Sequence, residues 1–169
     1  MHDFIIYCDL DGVLVDLAKR MKEFYGEELN ENNFKDKIHE LMKKLNMTEK
    51  LDFWANLEKT SDCMDIWNFI KQFDPFILTS YSGISLACIG KKYWCLEHIN
   101  VSANKIICVK HSFEKQKYAG SNKILIDDLK SNIEEWESKG GIGILHKTAK
   151  DTLKLLKSLL YTKYDTYDI

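Results

Sequence analysis

Arginine is almost missing from this 169-residue sequence: Arg20 is the only one among 24 basic residues. A phosphate or carboxylate ligand therefore cannot be gripped by paired guanidinium forks, and must be met by lysine, backbone amides or a metal. A basic surplus is missing too. The 24 Lys and Arg stand against 26 Asp and Glu, for a formal charge of −2, which argues against a protein held to nucleic acid by phosphate contacts. No apolar run approaches the roughly 18 residues of a membrane helix. The opening Met1-His2-Asp3-Phe4 lacks the charged and apolar regions of a secretory signal, so the expectation is a cytoplasmic chain with no membrane partner. Cys-x-x-Cys pairs are absent as well. The five cysteines, Cys8, Cys63, Cys88, Cys95 and Cys108, are odd in number, and this reads as a reducing compartment without structural zinc. What remains, 45% apolar and 30% charged residues, describes one globular domain with room for a small insertion and excludes a disordered or fibrous chain.

Short apolar runs occupy Phe4 to Cys8, Phe76 to Leu78, Ile106 to Val109, Ile124 to Ile126 and Ile142 to Leu145. Each is apolar on both faces, as strands of a parallel sheet covered on both sides must be. Helical spacing of apolar residues predicts helices over Ile84 to His98, Leu129 to Lys139 and Ala149 to Tyr161. The alternation predicts an α/β fold: a doubly wound, mainly parallel, Rossmann-like sheet. The interval between the first two strands holds no strand-like run. Leu17 to Tyr25, Phe34 to Leu45, Thr48 to Leu57 and Cys63 to Phe73 all read as short amphipathic helices. Residues 17–73 are therefore expected to form a small α-helical cap inserted after the first strand, over the carboxyl edge where open α/β sheets bind ligands. Residues 1–16 and 74–169 would form the core. The single proline, Pro75, marks the return to the sheet. The tail from Lys163 to Ile169 is polar apart from Tyr164, Tyr167 and Ile169 and reads as loosely held.

At the end of the first strand stands Asp9-Leu10-Asp11-Gly12-Val13-Leu14-Val15-Asp16. Alternation along an extended chain lets Asp9 and Asp11 point the same way, and Gly12 lets the chain turn. Two carboxylates this close repel unless a cation sits between them, and hard oxygen ligands favour magnesium. Taken alone, the motif also fits a strand ending in a polar turn, with Asp16 capping the next helix. A second pair, Asp127-Asp128 after Ile124-Leu125-Ile126, weights the balance toward metal, because strand ends of one polarity meet at one edge of a parallel sheet. Four acids there would cost stability with nothing to offset them. Thr79-Ser80-Tyr81-Ser82-Gly83 makes a hydroxyl-rich turn before a helix, suited to an anion, although for Ser82 a capping role is the better account. Lysines follow the third strand at Lys110, Lys115 and Lys117, and one of them is expected beside the acids to neutralise charge.

In this order the motifs resemble those of the haloacid dehalogenase superfamily of aspartate-dependent phosphohydrolases: Asp9-Leu10-Asp11-Gly12-Val13, then Thr79, then a lysine, then Asp127-Asp128. The resemblance spans the whole chain. It looks most like the small 5′(3′)-deoxyribonucleotidase-like branch, through Asp-Gly-Val-Leu-Val-Asp, Phe53-Trp54 and Leu125-Ile126-Asp127-Asp128. It implies Asp9 as nucleophile, forming an aspartyl-phosphate, and Asp11 as the acid that protonates the leaving alkoxide and then activates water. It also implies Mg2+ held by Asp9, the backbone carbonyl of Asp11 and a carboxylate of the last pair, with Asp128 as the first choice and Asp127 in support. Thr79, with Ser80 beside it, would hold phosphoryl oxygens. Lys115 is the preferred motif lysine, with Lys117 and then Lys110 behind it.

Phe53 and Trp54 would stack on a nucleobase by the same resemblance, yet their spacing with Leu57 equally packs a helix. The expected activity is hydrolysis of a small phosphate ester, most readily a nucleoside monophosphate. The rivals are a phosphatase for a sugar phosphate or a nucleic-acid 3′-phosphate, and a non-catalytic interaction module on the same fold. His111 and His146 follow strands but receive no role.

Overall fold

The computed structural model describes residues 4–161; residues 1–3 and 162–169, which include the polar tail from Lys163 to Ile169, lie outside the described residues. Five strands, β1 (Ile5–Cys8), β2 (Phe76–Ser80), β3 (Ile106–Val109), β4 (Lys123–Asp127) and β5 (Ile142–Leu145), form one sheet in the order β3-β2-β1-β4-β5. Every pairing is parallel. The helices are α1 (Leu17–Tyr25), α2 (Glu31–Lys44), α3 (Met47–Ala55), α4 (Cys63–Ile70), α5 (Ser85–Ile99), α6 (Lys130–Ser138) and α7 (Ala149–Tyr161). This is the doubly wound α/β fold that the apolar runs and helical spacings describe.

Strand alternation sorts the core into two layers. Ile6 and Cys8 of β1 join Ile77, Ile124 and Ile126 under α4, α5 and α7, where Ile66, Trp94 and Leu156 pack. Tyr7 points the other way, with Leu78 and Leu125, against Ile133 and Trp136 of α6. Both faces of β1 are thus dry, which is why its sequence shows no polar alternation. The chain runs from β1 to β2 and β3 on one side and then crosses from β3 to β4 on the other side of β1, so a crevice opens at the carboxyl end of β1.

The inserted helices do not share one location. Residues of α1 and α2, together with Leu29 between them, line the far side of a cavity over that crevice. By contrast, α3 lies against α5, and Trp94 of α5 donates from its indole Nε1 to the Leu57 carbonyl at 2.7 Å. Helix α4 packs on α7, whose first backbone N–H, at Ala149, donates to the Asp62 carboxylate.

Asp16 caps α1, accepting from the Lys19 amide at 2.8 Å. Ser82 does not cap α5. The N-cap is Ile84, and Ser82 and Gly83 take φ of 49° and 77° to turn the chain first. A 3-10 stretch over Ser112–Tyr118, for which the periodicity gives no sign, bridges β3 to β4.

Candidate active site

Register brings the acids together. Cys8 pairs with Ile126 and with Ile77, so Asp9, Asp127 and Leu78 stand level, and the Asp9 amide donates to the Ile126 carbonyl at 2.9 Å. Asp11 comes alongside through a compact turn and not through strand alternation. The amides of Leu14 and Val15 both donate to the Leu10 carbonyl, at 2.8 and 2.9 Å, which folds the chain back and leaves Asp9, Asp11 and Gly12 lining one cavity of about 510 Å³.

Lys115 is 2% exposed and its Nζ lies 2.7 Å from Asp9 Oδ2 and 2.6 Å from Asp127 Oδ2. The 3-10 stretch makes this possible by turning Lys115 inward while Lys117 stays outside, 3.6 Å from Glu114. Lys110 is exposed. Burial alone would lower the Lys115 pKa, but Asp9 and Asp127 outweigh it and raise it, so the ammonium stays charged.

Asp127 is satisfied on both oxygens. Oδ2 accepts from Lys115, and Oδ1 accepts from the Leu129 amide at 3.0 Å and from Asn132 Nδ2 at 2.9 Å. Asn132 is a site residue that the sequence motifs do not disclose, although it follows Asp128 by one helical turn. Burial, reinforced by Asp9, pushes the Asp127 carboxyl up to about 6 against the opposing pull of Lys115. Burial followed by Asp9 and Asp127 pushes Asp128 to about 8.

Carboxylate oxygens of Asp9, Asp127 and Asp128 lie within 4.8 Å of one another. Asp128 reaches them over Gly12, where a Cβ would stand 2.0 Å from Asp128 Oδ2. A second buried ammonium, that of Lys91 in α5, lies 2.5 Å from Asp11 Oδ2. With all four acids ionised, two ammoniums among four carboxylates leave a surplus of two negative charges. Hard oxygens around that surplus fit a divalent cation such as Mg2+.

Thr79 is fully buried with Oγ1 3.3 Å from Lys91 Nζ, while Ser80 lines the cavity. Phe53 and Trp54 are not brought to the cavity. Both are buried, edge to face at 5.0 Å between centroids, because α3 turns Trp54 onto Gly90 of α5 and Phe53 onto Phe24 of α1, 5.7 Å between ring centroids. The apolar cavity wall is instead Leu17, Leu29, Phe34, Ile38, Phe113 and Leu129. His111 also lines it, stacked on Phe113 at 5.5 Å. His146 is turned away, its Nδ1 2.9 Å from Thr152 Oγ1.

Among the described residues no helix is long and apolar enough to cross a membrane. No curated protein matches the chain by sequence. Among solved structures, a hydrolase from Streptococcus pneumoniae TIGR4 superposes with a TM-score of 0.55 at 12% identity, covering 93% of this chain and 100% of that one. A Thermotoga maritima protein provisionally named as a beta-phosphoglucomutase gives 0.51 at 18% identity, with coverage of 93% and 100%. At these identities the likeness is one of fold. The family model for 5′ nucleotidase, deoxy (pyrimidine), cytosolic type C protein matches residues 3–154. The chain belongs to that family, and is a nucleotidase-like phosphatase of the haloacid dehalogenase superfamily.

Proposed function

We propose that this protein is a magnesium-dependent phosphomonoesterase that acts through an aspartyl-phosphate, with a nucleoside monophosphate as its substrate. The observation that carries the reading is the ion-paired set of Asp9, Lys115 and the fully buried Asp127, of which Asp9 and Lys115 open on one cavity with Asp11 and Asp128. Asp9 Oδ1 accepts from the Leu10 amide at 2.8 Å, and Lys115 holds Oδ2, so the nucleophile is fixed in orientation before substrate arrives. Attack forms a bond from an Asp9 carboxylate oxygen to phosphorus as the ester P–O bond breaks. The leaving oxygen takes a proton from Asp11, which later receives one from the water that cleaves the aspartyl-phosphate.

Mg2+ held by Asp9, Asp128 and the Asp11 carbonyl, with Asp127 in support, would offset charge on the phosphoryl oxygens. Asp128 is favoured as the direct ligand because Asp127 already spends both oxygens on Lys115, Leu129 and Asn132. Lys115 has two of its three N–H groups engaged, which leaves a third for a phosphoryl oxygen. For the apolar part of the ligand we assign Phe34, Ile38 and Phe113 in place of Phe53 and Trp54. The cap over the cavity would then be α1 and α2 alone. The five free cysteines suit a reducing, cytoplasmic setting.

The test is phosphate release from a panel of deoxynucleoside monophosphates and sugar phosphates, with and without Mg2+, for the wild type and Asp9→Asn. Nucleotide turnover that needs Mg2+ and is lost in Asp9→Asn is the expected result. Full Mg2+-dependent turnover by Asp9→Asn sinks the mechanism, and a preference for sugar phosphates sinks the substrate assignment.

A further inference from the structure

Lys91 belongs to none of the sequence motifs, yet it is one of the most buried polar side chains in the molecule, at 1% exposure. Taking an ammonium out of water costs several kcal/mol unless it is paired and hydrogen-bonded. Here it is fully engaged. Nζ donates to Asp11 Oδ2 at 2.5 Å, to the Ser80 carbonyl at 2.6 Å and to Thr79 Oγ1 at 3.3 Å. A lysine has three N–H donors, so none remains for substrate, in contrast to Lys115. The face of the Trp54 indole covers it, with the ring centroid 5.1 Å from Nζ. That cover depends on Gly90, whose missing Cβ would stand 2.4 Å from Trp54 Cβ.

From the other side of the contact, Asp11 depends on Lys91. Among the described residues, Asp11 Oδ1 is buried without a hydrogen-bond partner, and Oδ2 has Lys91. Among the described residues no other hydrogen bond fixes the direction of the carboxylate. The same ammonium accounts for a second feature. By donating to Thr79 Oγ1 it occupies a lone pair of the hydroxyl, so the Thr79 proton is left to donate elsewhere.

We infer that Lys91 is a positioning residue for the proton-transfer step: it holds Asp11 by Oδ2 without touching substrate. The inference rests on the phosphatase reading, with Asp11 as acid and base. Loss of Lys91 should therefore copy loss of Asp11, because a residue that acts only through another adds nothing once that other is gone.

The experiment compares Lys91→Met, Asp11→Asn and the double variant on a nucleoside 5′-monophosphate and on p-nitrophenyl phosphate. General acid catalysis is worth about 10²-fold or more for an alkoxide leaving group. Lys91→Met should lose about that factor in kcat on the nucleotide, with KM within about threefold. On the aryl ester, whose leaving group needs little acid, it should show a burst of nitrophenolate equal to the enzyme and then slow turnover, since water activation still needs Asp11. The double variant should match Asp11→Asn within about threefold.

A double variant slowed by the product of the two single factors overturns the inference, as does a Lys91→Met enzyme with unchanged kcat. Binding of beryllofluoride with Mg2+, read as a thermal shift, reports whether the site stands. Loss of that shift in Lys91→Met assigns Lys91 to holding the whole site and also overturns the inference. If Lys91→Met does not fold, Lys91→Gln takes its place with the same expectations. Turnover that survives Asp9→Asn ends the phosphatase reading without any Lys91 variant, so the two failures are distinguishable.

Discussion

Gly12 has φ of 73°, a conformation that costs an alanine about 1–2 kcal/mol, and the space of its missing Cβ is filled by the Asp128 carboxylate, 2.0 Å from where that carbon would stand. The second requirement is the more consequential for function. Strain alone would lower stability and leave the chemistry intact, whereas a methyl group here must push Asp128 away from Asp9 and Asp127. Gly12→Ala should therefore lower stability by about 1–2 kcal/mol and raise the Mg2+ concentration for half-maximal activity by about tenfold or more. A Mg2+ titration of initial rates checks this, and an unchanged midpoint would show that Asp128 is not a ligand. The motif Asp-x-Asp-Gly is thus legible down to its glycine, because backbone freedom and the approach of a distant side chain ask for the same residue. Lys91 is not legible. It sits in Gly90-Lys91-Lys92 on a helix, and a lysine pair in a charged chain reads as solvated surface. Only the contact with Asp11, eighty positions away, gives it meaning.

At the scale of elements, strands buried on both faces announce themselves by composition, and helices by spacing, so the sheet and its flanking helices follow from the sequence. Spacing shows which face of a helix is apolar and is silent on what covers it. Phe53 and Trp54 illustrate this: both are apolar and buried, but Phe53 meets α1 and Trp54 meets α5, and neither lines the ligand cavity. The 3-10 stretch carrying Lys115 is hidden for a different reason, since a tight turn of seven residues has no long apolar period. At Gly90 α3 and α5 approach so closely that a Cβ there would stand 2.4 Å from Trp54 Cβ and 3.1 Å from the Ala55 amide nitrogen. Two effects compete in Gly90→Ala. Helix propensity favours alanine by about 0.8–1 kcal/mol, while overpacking against Cβ and backbone costs about 1–3 kcal/mol. Both obstructing atoms are close to the main chain and cannot rotate aside, so overpacking should win. We expect a net loss of about 1 kcal/mol in urea unfolding, with lower kcat as Trp54 shifts over Lys91. A stabilised Gly90→Ala would mean that α3 slides on α5 without cost.

For the molecule as a whole, a formal charge of −2 conceals a local concentration of acid that makes stability depend on pH and metal together. Burial, with Asp9 and Asp127, raises Asp128 to about 8, so between the ordinary carboxylate range and about 8 the folded chain holds a proton that the unfolded chain releases. Stability of the metal-free protein from this source is greatest in acid and falls as pH rises through that window. His146 works in the opposite sense: burial lowers its pKa, so the unfolded chain takes up the proton more readily and stability falls as pH drops below about 6.5. Magnesium acts on Asp128 and not on His146. Its binding needs deprotonated carboxylates, and it stabilises the folded state by mass action. The difference in Tm between saturating Mg2+ and chelator should therefore be small near pH 6, widen up to about pH 8 and level off above, while the acid-side decline due to His146 is the same in both conditions. Differential scanning calorimetry from pH 5.5 to 9 measures both curves. A gap that stays constant across that range would show that no carboxylate in the cluster holds a proton in the metal-free protein, and that their mutual repulsion is too weak to call for a divalent cation.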